Sequence, residues 1–187
     1  MDQAGFVLVG GKSSRMGRNK ALLPYRGTTL VEHVAAAVGQ AAGSVSLVGS
    51  ADDYSSLGLP VIPDLLTGAG PLAGIQAALA HTASAWNLVV ACDMPGLEAG
   101  FLRVLLEAAE ASGGDCLIPI GPSGLLEPLC AVYHRRCLEA ISRALGDNIR
   151  KVTRGLAHLD VQTLLVPEPL WLENINTPSD WAQHDRE

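Results

Sequence analysis

A loop rich in glycine and basic residues lies near the start of the chain. Residues 8–20 read Leu-Val-Gly-Gly-Lys-Ser-Ser-Arg-Met-Gly-Arg-Asn-Lys, with three glycines and four cations. They follow the apolar run 5–9, which is typical of a buried strand. Glycine lets backbone N–H groups approach a ligand closely, and lysine and arginine neutralise clustered negative charge. A loop of this kind at the end of a first strand predicts a polyphosphate site.

Two common phosphate-binding motifs do not fit this loop. Residues 11–13 look like the end of a Walker A motif, but Phe6 stands where that motif requires its first glycine. The dinucleotide pattern fails because no glycine follows the pair at 10–11 until Gly17. A solvated basic loop is the alternative interpretation. The charge distribution favours an anion site, because five of the 13 basic residues lie in the first 26 positions of a chain with net charge −6.

Asp93 directly follows a second buried run, residues 87–91. If the two strands are neighbours, Asp93 lies beside the basic loop. A carboxylate next to a polyphosphate is repulsive unless a cation lies between them, and Mg²⁺ is commonly held by one or two carboxylates together with phosphate oxygens. Aspartate is also common in turns such as the one that follows here. In combination with the basic loop, the sequence predicts that Asp93 binds Mg²⁺.

Two further segments carry polar groups that could contact a substrate. Residues 64–74 form a glycine-rich turn leading into a helix, whose N-terminus could bind an anion or simply require tight turning. Asp64 could accept from the N1–H and 2-amino groups of guanine together, or could be a solvated turn residue. Residues 174–178 are predicted to end a last strand with Asn174 and Asn176 on one face. These amides could bind substrate or metal, or cap a final short helix.

The composition limits the class of protein. A chain of 187 residues that is 48% hydrophobic predicts one domain, residues 1–187, with a full core. The acidic net charge argues against nucleic acid as a partner. The apolar runs are too short for a membrane span, and the N-terminus has no secretion-signal pattern. Four cysteines without a C-x-x-C pair indicate buried thiols rather than a zinc or redox site, so we expect a cytoplasmic protein.

Short strand-like runs alternate with helical patterns along the chain. The predicted helices include one opened by a capping box at residues 29–32. The other predicted elements are strands at 44–48, 116–120 and 129–133, and helices at 71–82, 101–109 and 135–145. This alternation predicts a parallel or mixed sheet with helices on both faces. In such sheets ligands bind beyond the carboxyl ends of the strands, which is where the basic loop falls.

Together these residues resemble the molybdenum cofactor guanylyltransferase family, the MobA-like nucleotidyltransferases. The resemblance covers nearly the whole chain and rests on four ordered motifs, in residues 8–24, 70–74, 92–95 and 174–178. It implies a three-layer α/β/α Rossmann-like nucleotidyltransferase fold with a mostly parallel mixed sheet. It also implies Mg²⁺-dependent transfer of GMP from GTP to the terminal phosphate of molybdopterin, with release of pyrophosphate.

The resemblance also implies site residues, carried over by position. Leu8, Val9 and Gly10 would border the guanine, and Asp64 would read its edge. Gly11, Arg15 and Lys20 would hold the triphosphate, and Asp93 would bind both Mg²⁺ and nucleotide. Gly74, Asn174 and Asn176 would help to seat the pterin. Arg15, Lys20 and Asp93 are the expected catalytic residues. The expected partners are the two substrates, with transient contact to molybdopterin-handling proteins or acceptor molybdoenzymes, and the expected state is a monomer.

Departures from the family pattern make the choice of base less certain than nucleotidyl transfer. Val9 stands where alanine is usual, Asn19 replaces a frequent aspartate, and residues 48–50 lack an asparagine that some members carry. A cytidylyltransferase for the same cofactor is therefore an alternative, although the Gly10-Gly11 pair favours guanine by resemblance. A sugar-phosphate nucleotidyltransferase and a non-catalytic nucleotide-binding protein are further alternatives. The short chain disfavours a sugar-phosphate nucleotidyltransferase, and the presence of both Lys20 and Asp93 disfavours a non-catalytic protein.

Overall fold

The computed structural model describes residues 2–10, 19–64, 66, 68–177 and 179–181. Gly11 and Arg15, two of the predicted phosphate-binding residues, lie outside this part of the chain. The strands are β1 (Gln3–Leu8), β2 (Pro24–Tyr25), β3 (Thr28–Thr29), β4 (Ser46–Val48), β5 (Val61–Ile62), β6 (Trp86–Ala91), β7 (Cys116–Ile120), β8 (Cys130–His134) and β9 (Val161–Leu165). The helices are α1 (Leu30–Ala42), α2 (Ala51–Tyr54), α3 (Pro71–His81), α4 (Ala99–Ser112), α5 (Cys137–Gly146) and α6 (Val152–Gly155). Short 3-10 turns lie at Lys20–Leu22, Ser55–Leu57 and Pro169–Leu172.

Seven strands form one sheet in the order β5-β4-β1-β6-β8-β7-β9, and β2 pairs with β3 in a small hairpin. Strand β8 is antiparallel to both of its neighbours, whereas the other pairs in the large sheet are parallel. The predicted mostly parallel mixed sheet is therefore confirmed. The carboxyl ends of β5, β4, β1 and β6 meet at one edge. Because β8 runs the other way, its first residue lies at that same edge.

Alternating side chains on the central strands build a core on each face of the sheet. Val7 of β1 packs with α1 and α4, whereas Phe6 and Leu8 of β1 pack with α3 and α5. The resulting three layers agree with the predicted α/β/α architecture. Helix α1 begins at the predicted capping box, where the backbone N–H of Thr29 donates to the Glu32 carboxylate at 2.8 Å. No helix in the described ranges is both long and apolar enough to span a bilayer.

The prediction of a last strand ending at residues 174–178 is wrong. Residues 173–177 lie outside any strand, and the last strand of the sheet is β9, which the sequence did not predict. Ile175 is fully buried, but the backbone contact of its N–H is with the Asp93 carbonyl oxygen at 2.8 Å. This backbone contact, together with the Lys20 ammonium on the Ile175 carbonyl, holds the segment without a ladder of strand hydrogen bonds. Strand β9 was missed because it is an edge strand whose Leu165 is 71% exposed, so its hydrophobic alternation is weak.

Candidate active site

A cavity of about 1130 Å³ opens at the sheet edge where β1, β4 and β6 end. Nine predicted site residues fall within the described chain, and all nine line this cavity. They are Leu8, Val9, Gly10, Lys20, Asp64, Gly74, Asp93, Asn174 and Asn176. The sheet topology explains the convergence, because the strands that precede these residues end at a common edge, where α/β folds bind ligands.

Lys20 and Asp93 form an ion pair inside the cavity. The Lys20 ammonium lies 3.0 Å from Asp93 Oδ2, and it also donates to the carbonyl oxygen of Ile175. The two side chains are only 13% and 22% exposed. Asp93 follows β6, the neighbour of β1, and the backbone N–H of Cys92 donates to the Leu8 carbonyl at 3.1 Å. The predicted proximity of the basic loop's end to Asp93 is thus present in the structure.

The second carboxylate oxygen of Asp93 fits a cation. Oδ1 is buried and has no hydrogen-bond partner among the described residues. Burying such an oxygen without a donor or cation is costly, and carboxylate oxygen is the ligand that Mg²⁺ prefers. No cluster of three or more metal-ligating side chains occurs in the described residues. A cation held at Asp93 would therefore complete its coordination with substrate oxygens and water.

The described part of the cavity lining carries more negative than positive charge. Its charged residues are Lys20, Asp53, Asp64, Asp93 and Glu127, which are one cation and four carboxylates. A polyphosphate that entered this lining alone would meet like charge. Binding of a polyphosphate here would therefore require added positive charge, which a divalent cation could supply.

Asp64 and Gly10 face each other at one end of the cavity. A Cβ atom on Gly10 would lie 3.4 Å from Asp64 Oδ2, so the absence of a side chain leaves this carboxylate accessible from β1. Asp64 Oδ1 is buried and has no hydrogen-bond partner within the described ranges. Burial raises the pKa of the Asp64 carboxyl. A ligand with two adjacent N–H donors could bind both oxygens of this carboxylate.

The side chain of Val9 occupies the space next to Gly49, which has no side chain of its own. Val9 is 6% exposed, and its backbone N–H donates to the Val48 carbonyl at 3.0 Å. A Cβ atom on Gly49 would lie only 2.7 Å from Val9 Cγ2. The larger side chain at position 9 therefore occupies space that a side chain at position 49 would need.

Tyr54 connects two parts of the site, and sequence reasoning missed it. It is 2% exposed at the end of α2, and its hydroxyl donates to the Val9 carbonyl at 2.9 Å. The same hydroxyl accepts from Asn19 Nδ2 at 3.0 Å, while Asn19 Oδ1 accepts from the Ala21 N–H at 3.2 Å. Asn19 thereby caps the turn that begins with Lys20. A lone tyrosine in a polar segment gave no sequence signal for this role.

Glu127 and Asn174 lie together in the cavity lining. Asn174 Nδ2 is 3.5 Å from Glu127 Oε2, and Glu127 Oε1 accepts from the Leu129 N–H at 3.3 Å. Burial raises the pKa of the Glu127 carboxyl. Asn176 is exposed, and its backbone N–H donates to Asp180 at 2.8 Å. The sequence offered no reason to assign Glu127 a role.

Gly74 lies against Leu8, near the start of α3. A Cβ atom on Gly74 would lie 3.1 Å from Leu8 Cδ2, so the glycine allows close packing of α3 on β1. Leu8 borders the predicted base site. Gly74 therefore packs against Leu8 of the predicted base site.

The family model described as MobA-like NTP transferase domain matches residues 5–161. The chain belongs to the MobA-like NTP transferases. Two similar proteins are described as probable molybdenum cofactor guanylyltransferases. The protein from Pelotomaculum thermopropionicum is 36% identical over 96% of this chain and 90% of its own length. The one from Carboxydothermus hydrogenoformans is 35% identical over 95% of this chain and 92% of its own length.

A crystal structure with the same fold is that of molybdopterin-guanine dinucleotide biosynthesis protein A from Archaeoglobus fulgidus. It is 31% identical and superposes with a TM-score of 0.85, covering 98% of this chain and 97% of the other. The predicted family, nucleotidyltransferase class and fold are confirmed. Three of the four motifs of this MobA-like transferase lie within the matched residues, and the asparagine motif at 174–178 lies beyond them.

Proposed function

We propose that this MobA-like transferase is a molybdenum cofactor guanylyltransferase that acts through one domain, residues 1–187. It transfers GMP from GTP to the terminal phosphate of molybdopterin, giving molybdopterin guanine dinucleotide and pyrophosphate. The observation that carries the proposal is the Lys20–Asp93 pair, 3.0 Å apart, with Asp93 Oδ1 left without a partner among the described residues. The names of the similar proteins support the same reaction.

Each substrate has its own part of the cavity in this proposal. Guanine lies beside Leu8, Val9 and Gly10, with its N1–H and 2-amino groups on the Asp64 carboxylate. Lys20 holds the triphosphate together with Gly11 and Arg15, which lie outside the described residues. Gly74, Asn174 and Asn176 are the proposed contacts of the pterin, and Gly74 also packs against Leu8 of the proposed base site.

The reaction is an in-line displacement at the α-phosphorus of GTP. A phosphate oxygen of molybdopterin forms the new P–O bond as the bond to the bridging oxygen of pyrophosphate breaks. The nucleophile is already anionic, so no general base is required. Lys20 donates to the oxygens that gain charge, and its contacts with Asp93 and Ile175 keep the ammonium in place. Catalysis then depends on positioning and charge.

Asp93 is the proposed Mg²⁺ ligand. Its buried, unpartnered oxygen fits a hard cation, and the Ile175 N–H fixes the aspartate backbone. When bound there, Mg²⁺ would neutralise the charge that grows on the departing phosphates. The proposed setting is a cytoplasmic monomer. Because a free reduced pterin would be fragile, we also propose transient contact with molybdopterin-handling proteins or acceptor molybdoenzymes.

Calorimetric titration with GTP, CTP and ATP in the presence of Mg²⁺ tests the choice of base. We expect wild-type protein to select GTP, and Asp64→Asn to bind it more weakly. A preference for CTP would instead support the cytidylyltransferase alternative.

A pyrophosphate-release assay tests whether the protein is catalytic. Release should require GTP, Mg²⁺ and molybdopterin together, and mass spectrometry should detect the dinucleotide product. GTP binding without any release under these conditions would support a non-catalytic nucleotide-binding protein and contradict the proposal.

A further inference from the structure

Three carboxylates are spread along the cavity edge of the sheet. Asp64 follows β5, Asp93 follows β6, and Glu127 lies in the turn that leads into β8. In the sheet order β5-β4-β1-β6-β8, the strand before Asp93 lies between the other two. Asp64 and Glu127 therefore occupy opposite ends of the cavity, with the Lys20–Asp93 pair between them. The proposed function uses Asp64 and Asp93 but leaves Glu127 without a role.

We propose that Glu127 and Asn174 read the 2-amino-4-oxopyrimidine edge of the pterin, which rests on the proposed function. This edge presents the O4 acceptor, the N3–H donor and the 2-amino donor in a row. Asn174 Nδ2 donates to O4, and the Glu127 carboxylate accepts from N3–H and from the 2-amino group. The order of polar atoms on the protein, Nδ2 and then two carboxylate oxygens, matches the order on the ring.

The Asn174 amide is available to a ligand. The contacts of Nδ2 with Glu127 Oε2 and with the Leu172 carbonyl are both 3.5 Å long. This is beyond the usual range of about 2.7–3.2 Å for an N–H···O hydrogen bond. An acceptor on a bound ring could therefore replace either contact with a shorter hydrogen bond.

The position of Glu127 is fixed before any ligand binds. Its backbone N–H donates to the Pro119 carbonyl at 3.0 Å, and its carbonyl accepts from the Cys130 N–H at 3.2 Å. Its side chain also accepts from the Leu129 N–H, at 3.3 Å. A carboxylate fixed in this way loses little conformational freedom when it binds a ring, which favours selective recognition.

The electrostatics of Glu127 also favour a ligand with N–H donors. Burial raises its pKa, the N–H of Leu129 and the amide of Asn174 lower it, and the charge of nearby Asp93 raises it further. Two more donors would stabilise the ionised form. A purely structural carboxylate would need only the Leu129 contact, which a neutral amide oxygen can also make.

The expected product has the same polar edge at both of its ends. Guanine and pterin each carry a 2-amino-4-oxopyrimidine ring, and a pyrophosphate group lies between them in the dinucleotide. The cavity repeats this arrangement, with a carboxylate at each end and the Lys20–Asp93 pair in the middle. One kind of hydrogen-bonding group thus serves both substrates.

Glu127→Gln tests the proposal, because the glutamine keeps the acceptor for Leu129 N–H and loses the charge and one acceptor. We expect the KM for molybdopterin to rise about 10- to 100-fold, the range for loss of a hydrogen bond to a charged group. The affinity for GTP should stay unchanged. Glu139→Gln is the control, since this exposed residue of α5 pairs with Arg143 away from the cavity.

Fluorescence binding of 6-hydroxymethylpterin and 6-hydroxymethyllumazine provides a second measurement without turnover. The lumazine carries oxygen in place of the 2-amino group. Wild-type protein should prefer the pterin, and Glu127→Gln should lose this preference. A folded Glu127→Gln variant with an unchanged KM and an unchanged preference would overturn the proposal, as would an equal loss of GTP affinity. If wild-type protein forms no dinucleotide, the proposed function fails, whereas the ring preference still tests Glu127.

Discussion

The Tyr54 hydroxyl donates to the carbonyl oxygen of Val9 across 2.9 Å. Val9 borders the proposed base site, and the same hydroxyl accepts from Asn19, the residue before Lys20. One buried side chain therefore links the proposed base site to the turn that carries Lys20, the proposed phosphate-binding residue. A substitution of Tyr54 should therefore affect both the proposed base site and the position of Lys20, although the Tyr54 side chain is almost fully buried.

Tyr54→Phe should weaken both the fold and the nucleotide site. It leaves the Val9 carbonyl and the Asn19 amide without this partner, and each buried polar group left unpaired costs about 1–3 kcal/mol. We expect a lower free energy of unfolding and a KM for GTP raised about tenfold. Urea denaturation and steady-state kinetics measure the two effects. Tyr25→Phe, at a buried tyrosine outside the cavity lining, should leave the KM unchanged. An unchanged KM in Tyr54→Phe would contradict the link.

Asp93→Asn should remove activity while the protein stays folded. The backbone contact with Ile175 survives, but the negative charge beside Lys20 and the proposed Mg²⁺ ligand are lost. We expect kcat/KM to fall by about 10²–10³, as when one preorganised charge contact is removed. Binding of Mn²⁺ in the presence of GTP, followed by electron paramagnetic resonance, should weaken in parallel. Turnover close to that of wild type would exclude Asp93 from the mechanism. Asp52→Asn, at an exposed position outside the cavity lining, is the control.

Asp64→Asn should make the free protein more stable at neutral pH. Because burial raises the Asp64 pKa, the folded state keeps this proton to higher pH than the unfolded chain does. Folding stability therefore falls as pH rises from the usual aspartate pKa of about 3.9 through the raised value. Asparagine at position 64 does not ionise, so the variant does not lose folding stability in this way as the pH rises. Urea denaturation without nucleotide should show a gain at pH 7 that disappears once both states are protonated at low pH. Equal or lower stability of the variant at pH 7 would contradict this expectation.

Gly74→Ala should separate stability from binding. Alanine is better than glycine in a helix by about 1 kcal/mol, but its Cβ atom would lie 3.1 Å from Leu8 Cδ2 and displace that side chain. We expect little change in thermal stability and a raised KM for GTP. Gly100→Ala in α4 is the matched control, because a Cβ atom there would have no neighbour within 4 Å. A Gly74→Ala variant with a normal KM would show that Leu8 can shift without affecting the base.

Local sequence signals predicted much of the fold. The capping box at Thr29 and the buried runs of β1 and β6 follow from residue type and spacing alone. The proximity of Lys20 and Asp93 could also be predicted, because the loops that follow neighbouring parallel strands meet at one edge of the sheet. Contacts between distant segments could not be predicted in this way. The Tyr54 hydrogen bonds depend on how α2 packs against β1, and Ile175 is held by contacts with two distant residues, Asp93 and Lys20.

The reversed direction of β8 has a consequence for how this protein could diversify. A parallel strand would enter the sheet from the far edge, whereas β8 begins beside the cavity, and two residues of the preceding turn, Glu127 and Leu129, line it. The proposed nucleotide site is built on β5, β4, β1 and β6, which that turn does not interrupt. Insertions or substitutions in this one turn could therefore change which acceptor the enzyme binds, while the residues of the proposed nucleotide site stay unchanged.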